Sequence, residues 1–190
     1  MEDKIKKYIN DLKAALQLKG MNRVPLLAVA LQEAWRDGRC VYLCGNGGSA
    51  GNAIHLANDL IYGVGLNHGL GIRVEALSAN SAVITCLGND LGYNDIFSHQ
   101  LKVKAKKDDV LIVLSGSGNS QNVVKAIEVG NEIGVKTFAI LGYDGGRCKE
   151  IAQFPIHFAI DDMQISEDLQ LIVGHMCMQW LRQQGNGALT

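Results

Sequence analysis

The sequence predicts an α/β protein with a five-stranded parallel β-sheet, preceded by a helical hairpin. Five short runs of consecutive apolar residues are typical of parallel strands that are buried on both faces. Segments with apolar residues at helical spacing separate these runs. Because strands that alternate with helices form βαβ units, the order of the elements predicts a parallel sheet.

The elements follow one another in a simple order. Apolar residues at helical spacing predict helices over residues 3–19 and 24–36, and Asp37 and Gly38 end the second one. The five strands are predicted over residues 40–44, 72–77, 110–114, 137–141 and 156–160. The remaining helices are predicted over residues 49–62, 80–103 in two pieces, 120–133, 146–152 and 165–183.

Length and composition limit the class of protein. With 190 residues, 47% of them hydrophobic, the chain is expected to form a single domain over 1–190, with the hairpin of residues 1–37 packed on it. The net charge is −1, whereas non-specific nucleic-acid binding needs a basic excess, so nucleic acid is not an expected partner. The five cysteines form no C-x-x-C pair. No signal-peptide pattern and no apolar run of ~18 residues is present, so we expect a cytoplasmic protein with reduced thiols and no membrane partner.

Two loops rich in serine and glycine directly follow two of the predicted strands. They are Gly45-Asn-Gly-Gly-Ser49 and Ser115-Gly-Ser-Gly-Asn-Ser120. Both belong at the carboxyl edge of the sheet, where glycines, helix N-termini and serine hydroxyls together favour a bound anion. Neither loop has the lysine of a nucleotide P-loop, which favours a sugar monophosphate over a triphosphate.

Two other interpretations of these loops stay open. They could be ordinary strand-to-helix turns in which serines cap the helices, although two such loops on consecutive crossovers make this less favoured. Gly45, Gly47 and Ala50 also fit the dinucleotide pattern G-x-G-x-x-G/A. That fingerprint needs an acid about 20 residues further on, and the sequence there is Val64-Gly-Leu66.

Together with these loops, the motif Gly88-Asn-Asp-Leu-Gly-Tyr-Asn-Asp95 makes the chain resemble the sugar-isomerase (SIS) domain family, and more closely the phosphoheptose isomerases. The resemblance spans almost the whole chain. It implies a flavodoxin-like three-layer α/β/α sandwich and a homotetramer with active sites between subunits. It also implies conversion of sedoheptulose 7-phosphate to D-glycero-D-manno-heptose 7-phosphate, for the heptose of bacterial lipopolysaccharide or capsule.

The resemblance also implies a substrate site. The residues it implies are Asn46, Gly47, Gly48, Ser49, Asn89, Asp90, Ser115, Gly116, Ser117 and Ser120. Ser115, Ser117 and Ser120 would hold the phosphate, and Asn46 and Ser49 would line the sugar. Gly63 stands where the family has an arginine, so another phosphosugar stays open as the substrate.

A metal and acid–base set follows from the same resemblance. His55 and Asp59 stand four residues apart, on one face of the predicted helix, and the last helix offers Glu167 and His175. Two imidazoles and two carboxylates suit Zn²⁺, one ion per subunit. The implied catalytic residues are Asp59 (or Glu167) as the base that moves a proton between C1 and C2, and His175 as its acid–base partner.

Two of these four positions depart from the family's pattern. Asp59 stands where the family has the longer Glu, and Glu167 stands where it has Gln. We interpret the pair as an exchange of roles, in which Glu167 takes over the carboxylate function that Asp59 no longer reaches. Residues 167 and 175 would lie about 12 Å apart on a straight helix, too far for one ion to bind both. Either residue 167 therefore precedes the regular helix, or different subunits contribute.

Two functions without turnover compete with the isomerase. Relatives that keep the fold and the serine loops but lack the catalytic set act through protein contacts, for example with a DNA-replication initiator. A phosphosugar sensor would usually carry a DNA-binding domain, for which this length leaves no room. A binding protein has no physical need for His175 together with a carboxylate at position 59, so these residues favour an enzyme.

Overall fold

The central sheet confirms the predicted fold class. The structure, a computed structural model, describes residues 1–185 and 187. The strands are β1 (Cys40–Cys44), β2 (Arg73–Ala76), β3 (Val110–Ser115), β4 (Lys136–Leu141) and β5 (Phe154–His157). They pair in the order β2-β1-β3-β4-β5, and every pair is parallel. The chain leaves β1 towards β2 and returns to β3 on the other side of β1. The carboxyl ends of β1 and β3 therefore flank the point at which ligands bind in such sheets.

Helices cover both faces of this sheet. The α-helices are α1 (Glu2–Ala15), α2 (Val24–Arg36), α3 (Gly48–Asn58), α4 (Ser81–Asp90), α5 (Ser98–Lys104), α6 (Gln121–Ile133), α7 (Gly146–Ile151) and α8 (Met163–Gln184). One core lies between the sheet and α2, α3 and α8, and the other lies between the sheet and α4 to α7. The result is a three-layer sandwich, with the helical pair α1 and α2 at the beginning of the chain. Within the described residues, no helix has the length and apolar character needed to cross a membrane.

Strand β3 shows why the apolar runs are continuous rather than alternating. Val110, Ile112 and Leu114 pack into the first core, whereas Leu111 and Val113 pack into the second. Each side chain is at most 3% exposed, and full burial of such a side chain contributes roughly 1.5–3 kcal/mol. A strand covered on both faces therefore has apolar residues at every position, as the sequence predicted.

Several boundaries differ from the prediction. The predicted helix over 49–62 ends at Asn58 and continues as a π-helical turn, Asp59–Gly63, followed by a 3₁₀ turn, Val64–Asn67. The last strand begins at Phe154, two residues before the predicted start, because Phe154 pairs with Phe138 of β4. π-Helical turns often occur at functional sites, and this one begins at Asp59, one of the predicted metal ligands.

Candidate active site

The two serine-glycine loops form a single pocket at the carboxyl edge of the sheet, with a volume of about 270 Å³. Its lining consists of Asn46, Gly47, Gly48, Ser49, Leu114, Ser115, Gly116, Ser117, Ser120, Met163 and Glu167. Helix α3 begins at Gly48, and α6 begins after Ser120, so the N-termini of two helices lie at this pocket. Helix N-termini carry partial positive charge and free N–H groups, and they favour an anion.

Two serine hydroxyls of the second loop accept hydrogen bonds from the loop's own backbone. The backbone N–H of Gly118 donates to Ser115 Oγ at 3.0 Å, and that of Asn119 donates to Ser117 Oγ at 3.3 Å. A hydroxyl has one proton and two lone pairs. Because these N–H groups occupy lone pairs, the serine protons stay available for an acceptor such as a phosphate oxygen.

Gly118 allows the second loop to fold against the turn after β4. Its φ is +67°, and a Cβ at this position would lie 2.7 Å from the backbone carbon of Gly145. A side chain is therefore excluded by both the backbone angle and the contact. The N–H of Cys148 also donates to the Gly118 carbonyl at 2.9 Å, which holds the loop against α7.

Asn46 is held by two residues that the sequence interpretation did not select. Asn46 and Asn122 form a cyclic amide pair with N···O distances of 2.8 and 2.9 Å, and the Tyr93 hydroxyl donates to Asn46 Oδ1 at 2.9 Å. Tyr93 belongs to the Gly88–Asp95 motif, so the motif could have suggested it. Asn122 lies in the first turn of α6 and is 1% exposed, and only the folded structure shows its partner.

Three predicted metal ligands come together about two turns further along α3 and α8. His55 Nε2 and His175 Nε2 lie 3.0 Å apart, and they lie 3.5 and 3.4 Å from Asp59 Oδ2. Such a group fits a catalytic Zn²⁺ site, in which three protein ligands leave a fourth position for water or substrate. The two imidazoles are 50% and 40% exposed, so the group opens to the surface.

Glu167 lies apart from this group. Helix α8 is regular from Met163 to Gln184, so the alternative that residue 167 precedes the helix is wrong. The Glu167 carboxylate instead lies against Gly48, where an added Cβ would be 2.5 Å from Oε2 and 2.6 Å from Cδ. Within one chain, Glu167 belongs to the serine pocket, and its binding to the metal stays a prediction that needs a second subunit.

Asn89 and Asp90 also lie apart from the serine pocket within the part of the chain that the structure describes. Both are exposed at the end of α4, where Asn89 Nδ2 donates to Asp90 Oδ1 at 2.7 Å. Cys86 Sγ lies 3.5 Å from Asp90 Oδ2, and this hydrogen bond raises the pKa of the Cys86 thiol. Their place in the substrate site, and the contact of Asp90 with the sugar hydroxyls, stay predictions.

Comparison with known proteins agrees with these features. Residues 6–142 match the SIS domain family. The chain is 38% identical over 141 residues to a phosphoheptose isomerase from Akkermansia muciniphila, covering 74% of each chain. It is 32% identical over 179 residues to one from Geotalea daltonii, covering 93% of each. A solved phosphoheptose isomerase from Francisella tularensis superimposes with a TM-score of 0.87 at 25% identity, covering 95% of this chain and 97% of that one.

Proposed function

The chain belongs to the SIS-domain family and, within it, to the phosphoheptose isomerases, and we propose that it interconverts sedoheptulose 7-phosphate and D-glycero-D-manno-heptose 7-phosphate. It is an aldose–ketose isomerase by this membership. One observation carries the proposal. The serine pocket and the group of His55, Asp59 and His175 lie along the same two packed helices, α3 and α8, so anion binding and proton transfer share one scaffold.

Substrate binding starts at the phosphate. Ser115, Ser117 and Ser120 line the pocket, and the first two hydroxyls have protons free for phosphate oxygens. The N-termini of α3 and α6 add partial positive charge beside the same oxygens. Asn46 and Ser49 extend the pocket along the sugar. The Oδ1 atom of Asn46 already accepts from Asn122 and Tyr93, so a remaining N–H of Asn46 is the group offered to a sugar oxygen.

The reaction moves a proton between two adjacent carbons of the open-chain sugar. The base removes a proton from C1 of the ketose, the enediol forms, and the proton returns at C2, while the hydroxyl proton moves from O1 to O2 so that C1 becomes the aldehyde carbon. Asp59 is the proposed base, with Glu167 as the alternative, and His175 is proposed to transfer the hydroxyl proton. Each would do so through the oxygen or nitrogen atom that does not bind the ion. The carboxylate of Asp59 is 18% exposed, which limits competition from bulk water.

We propose Zn²⁺ as the cofactor, held by His55, Asp59 and His175, with Glu167 reaching it from a second subunit. When bound, the ion would supply Lewis-acid polarisation of the sugar's carbonyl oxygen. The residues fit because each offers one nitrogen or oxygen atom, and these atoms lie within 4.8 Å of one another. Asp59 reaches both imidazoles despite being shorter than Glu.

We propose a homotetramer in the cytoplasm, with the active site completed between subunits. Several exposed apolar side chains lie near the metal group, on α3, on the two turns that follow α3, and on α8. They are Ile54, Ile61, Tyr62, Leu66 and Met176, each at least 45% exposed. Exposed apolar surface of this kind marks an interaction site, and a second copy of the chain would cover it. The proposed contribution of Glu167 to another chain's metal group requires such an interface.

The test is an isomerase assay of purified, metal-analysed protein with sedoheptulose 7-phosphate, with and without a chelator. Turnover that is lost on chelation and restored by Zn²⁺ supports both the reaction and the metal. Turnover that survives complete metal removal contradicts the metal site but keeps the isomerase. Bound metal without turnover contradicts the substrate, and other ketose phosphates are then assayed.

Glu167→Gln tests the exchange of roles between Glu167 and Asp59. If Glu167 binds the ion, the substitution lowers Zn²⁺ affinity by roughly tenfold or more, because even loss of a group that only orients a metal ligand costs about 10–100-fold. The matched control is Asp168→Asn, which makes the same chemical change one residue further along α8, at a carboxylate that instead accepts from Tyr8. Unchanged Zn²⁺ affinity and rate in Glu167→Gln contradict the exchange of roles.

A further inference from the structure

A chain of side-chain hydrogen bonds joins α8 to the first serine loop. Gln170 Nε2 lies 3.0 Å from Ser49 Oγ, and Gln170 Oε1 lies 3.0 Å from Asn52 Nδ2. Asn52 Nδ2 also lies 3.0 Å from the backbone carbonyl oxygen of Glu167. Gln170 is 1% exposed and Ser49 is 4% exposed, so water does not compete for these contacts. The three side chains therefore form one connected network.

The backbone carbonyl of Glu167 fixes the direction of every hydrogen bond in this network. A carbonyl oxygen can only accept, so the Asn52 amide must present its nitrogen there and not its oxygen. The second hydrogen of the same nitrogen points at Gln170, which must therefore present its own oxygen. The nitrogen of the Gln170 amide is then left facing Ser49, and it donates to the Ser49 oxygen.

This network leaves the hydroxyl proton of Ser49 free. Because Gln170 donates to Ser49 Oγ, the single proton of this hydroxyl is not used by the network. Ser49 lines the pocket next to the second serine loop, where Ser115 and Ser117 also accept from N–H groups. In those two serines the donor is backbone, whereas at Ser49 it is a side chain that a substitution can remove.

We propose that Gln170 is a positioning residue that orients the Ser49 hydroxyl as a donor, so that an acceptor oxygen of the ligand binds opposite it. The identity of this ligand, a phosphosugar, rests on the proposed function. Gln170 itself touches neither phosphate nor sugar and acts through Ser49. Asn52 has the same role one step further away, since it sets the orientation of Gln170. The acceptor belongs either to the phosphate or to the sugar.

The experiment removes Gln170 with and without Ser49. Dissociation constants for inorganic phosphate are measured by calorimetry, and KM and kcat are measured with sedoheptulose 7-phosphate, for the wild type, Gln170→Met, Ser49→Ala and the double variant. Gln170→Met should weaken binding about three- to tenfold, the loss expected of one hydrogen bond, with a larger effect on KM than on kcat. The same substitution should change nothing further once Ser49 is alanine. Weaker phosphate binding assigns the acceptor to the phosphate, and a raised KM alone assigns it to the sugar.

Two further variants separate positioning from simple loss of stability. Gln100→Met removes another buried glutamine, 3% exposed and hydrogen-bonded to the carbonyls of Leu77 and Ile96, and should leave binding unchanged. Asn52→Ala keeps both Ser49 and Gln170 and removes only the hydrogen bond that sets the orientation of the Gln170 amide. It should give a smaller loss that also disappears in the Ser49→Ala background, and it replaces Gln170→Met if that variant does not fold.

The proposal is overturned if Gln170→Met binds both ligands like the wild type, or if it weakens binding equally in the presence and absence of the Ser49 hydroxyl. Failure of the proposed function is recognised from the wild-type protein and not from the variants. If the wild-type protein binds phosphate but neither binds nor converts sedoheptulose 7-phosphate, the proposed substrate is wrong. The role of Gln170 is then still tested by the phosphate dissociation constants of the wild type and the variants. A wild-type protein that binds neither ligand overturns both proposals.

Discussion

Gly48→Ala should separate the activity of this protein from its stability. Gly48 is the first residue of α3 and lines the serine pocket, opposite the Glu167 carboxylate. A Cβ at this position would lie 2.5 Å from Glu167 Oε2, whereas ordinary contacts of a Cβ begin at about 3.4 Å. The carboxylate must therefore move by roughly 1 Å, which it can do because it is the far end of a flexible side chain.

The expected magnitudes follow from this geometry. Replacing glycine by alanine in a compatible backbone stabilises a protein by about 0.4–1 kcal/mol through the unfolded state, so the free energy of unfolding should stay level or rise slightly. Misplacement of a positioned group by about 1 Å can lower turnover on the order of 100-fold. We therefore expect kcat/KM to fall at least tenfold while Tm does not fall.

The assay compares kcat, KM and urea unfolding of Gly48→Ala with those of Gly51→Ala. Gly51 lies in the same helix, and a Cβ there meets nothing within 4 Å, so this control should behave as the wild type. Combining Gly48→Ala with Glu167→Ala should add little to the loss caused by Glu167→Ala alone, because both act on one carboxylate. Wild-type kinetics in Gly48→Ala, or an equal loss in Gly51→Ala, would refute the reasoning.

Two further predictions concern the frame around the site. The hydrogen bond to Asp168 raises the pKa of Tyr8 from 10 to about 12, so this contact between α1 and α8 is complete below pH 10 and is lost as the pH rises through 12. In phenolate absorbance titrations, Asp168→Asn should shift the pKa of one tyrosine towards 10. Tyr8→Phe should remove the titration of that tyrosine from the curve. An identical curve for Asp168→Asn and the wild type would contradict this. Gly118→Ala should lower the free energy of unfolding by more than about 2 kcal/mol, since left-handed backbone costs about 1–2 kcal/mol and the Cβ also meets backbone. Gly38→Ala is the control, because Gly38 has a similar φ, +66°, and a Cβ there meets nothing within 4 Å. If urea unfolding gives the same loss of stability for both variants, the contact of the Gly118 Cβ with backbone has no effect.

The sheet could be predicted from the sequence because its strands are buried on both faces. Continuous apolar runs marked β1, β3 and β4 to within one residue of their observed bounds. The last strand was displaced, because its ends depend on pairing with Phe138 and not on its own apolar content. The break in the predicted helix at Asp59 was also missed, since residues 59–62 continue an apolar helical pattern and the π-helical turn appears only in the folded backbone.

The sequence predicted which loop residues lie at one pocket, but not the side chains that hydrogen-bond to them. The glycine-serine loops showed which residues would meet, because sheet topology alone brings the ends of β1 and β3 together. The partners Gln170 and Asn122 carry no local signal, since a buried amide is informative only when its neighbour is known. These two side chains determine whether their partner donates or accepts a hydrogen bond, and the spacing of residues in the sequence does not show this.

The two departures from the family's pattern have unequal consequences. Asp59 lies 3.4 and 3.5 Å from the two imidazole nitrogens, so its shorter side chain still closes a three-ligand group, and no replacement carboxylate is needed within the chain. What remains of the exchange of roles is the proposal that Glu167 binds the ion as well. Its carboxylate adds negative charge to a pocket in which two helix N-termini and four serines favour an anion. That charge opposes phosphate binding unless a cation or sugar hydroxyls lie beside it. A second subunit's metal group would supply the cation, and an extended sugar would supply the hydroxyls. Glu167→Gln distinguishes the two, because Zn²⁺ affinity falls only in the first case, whereas KM for the sugar phosphate changes without loss of metal in the second.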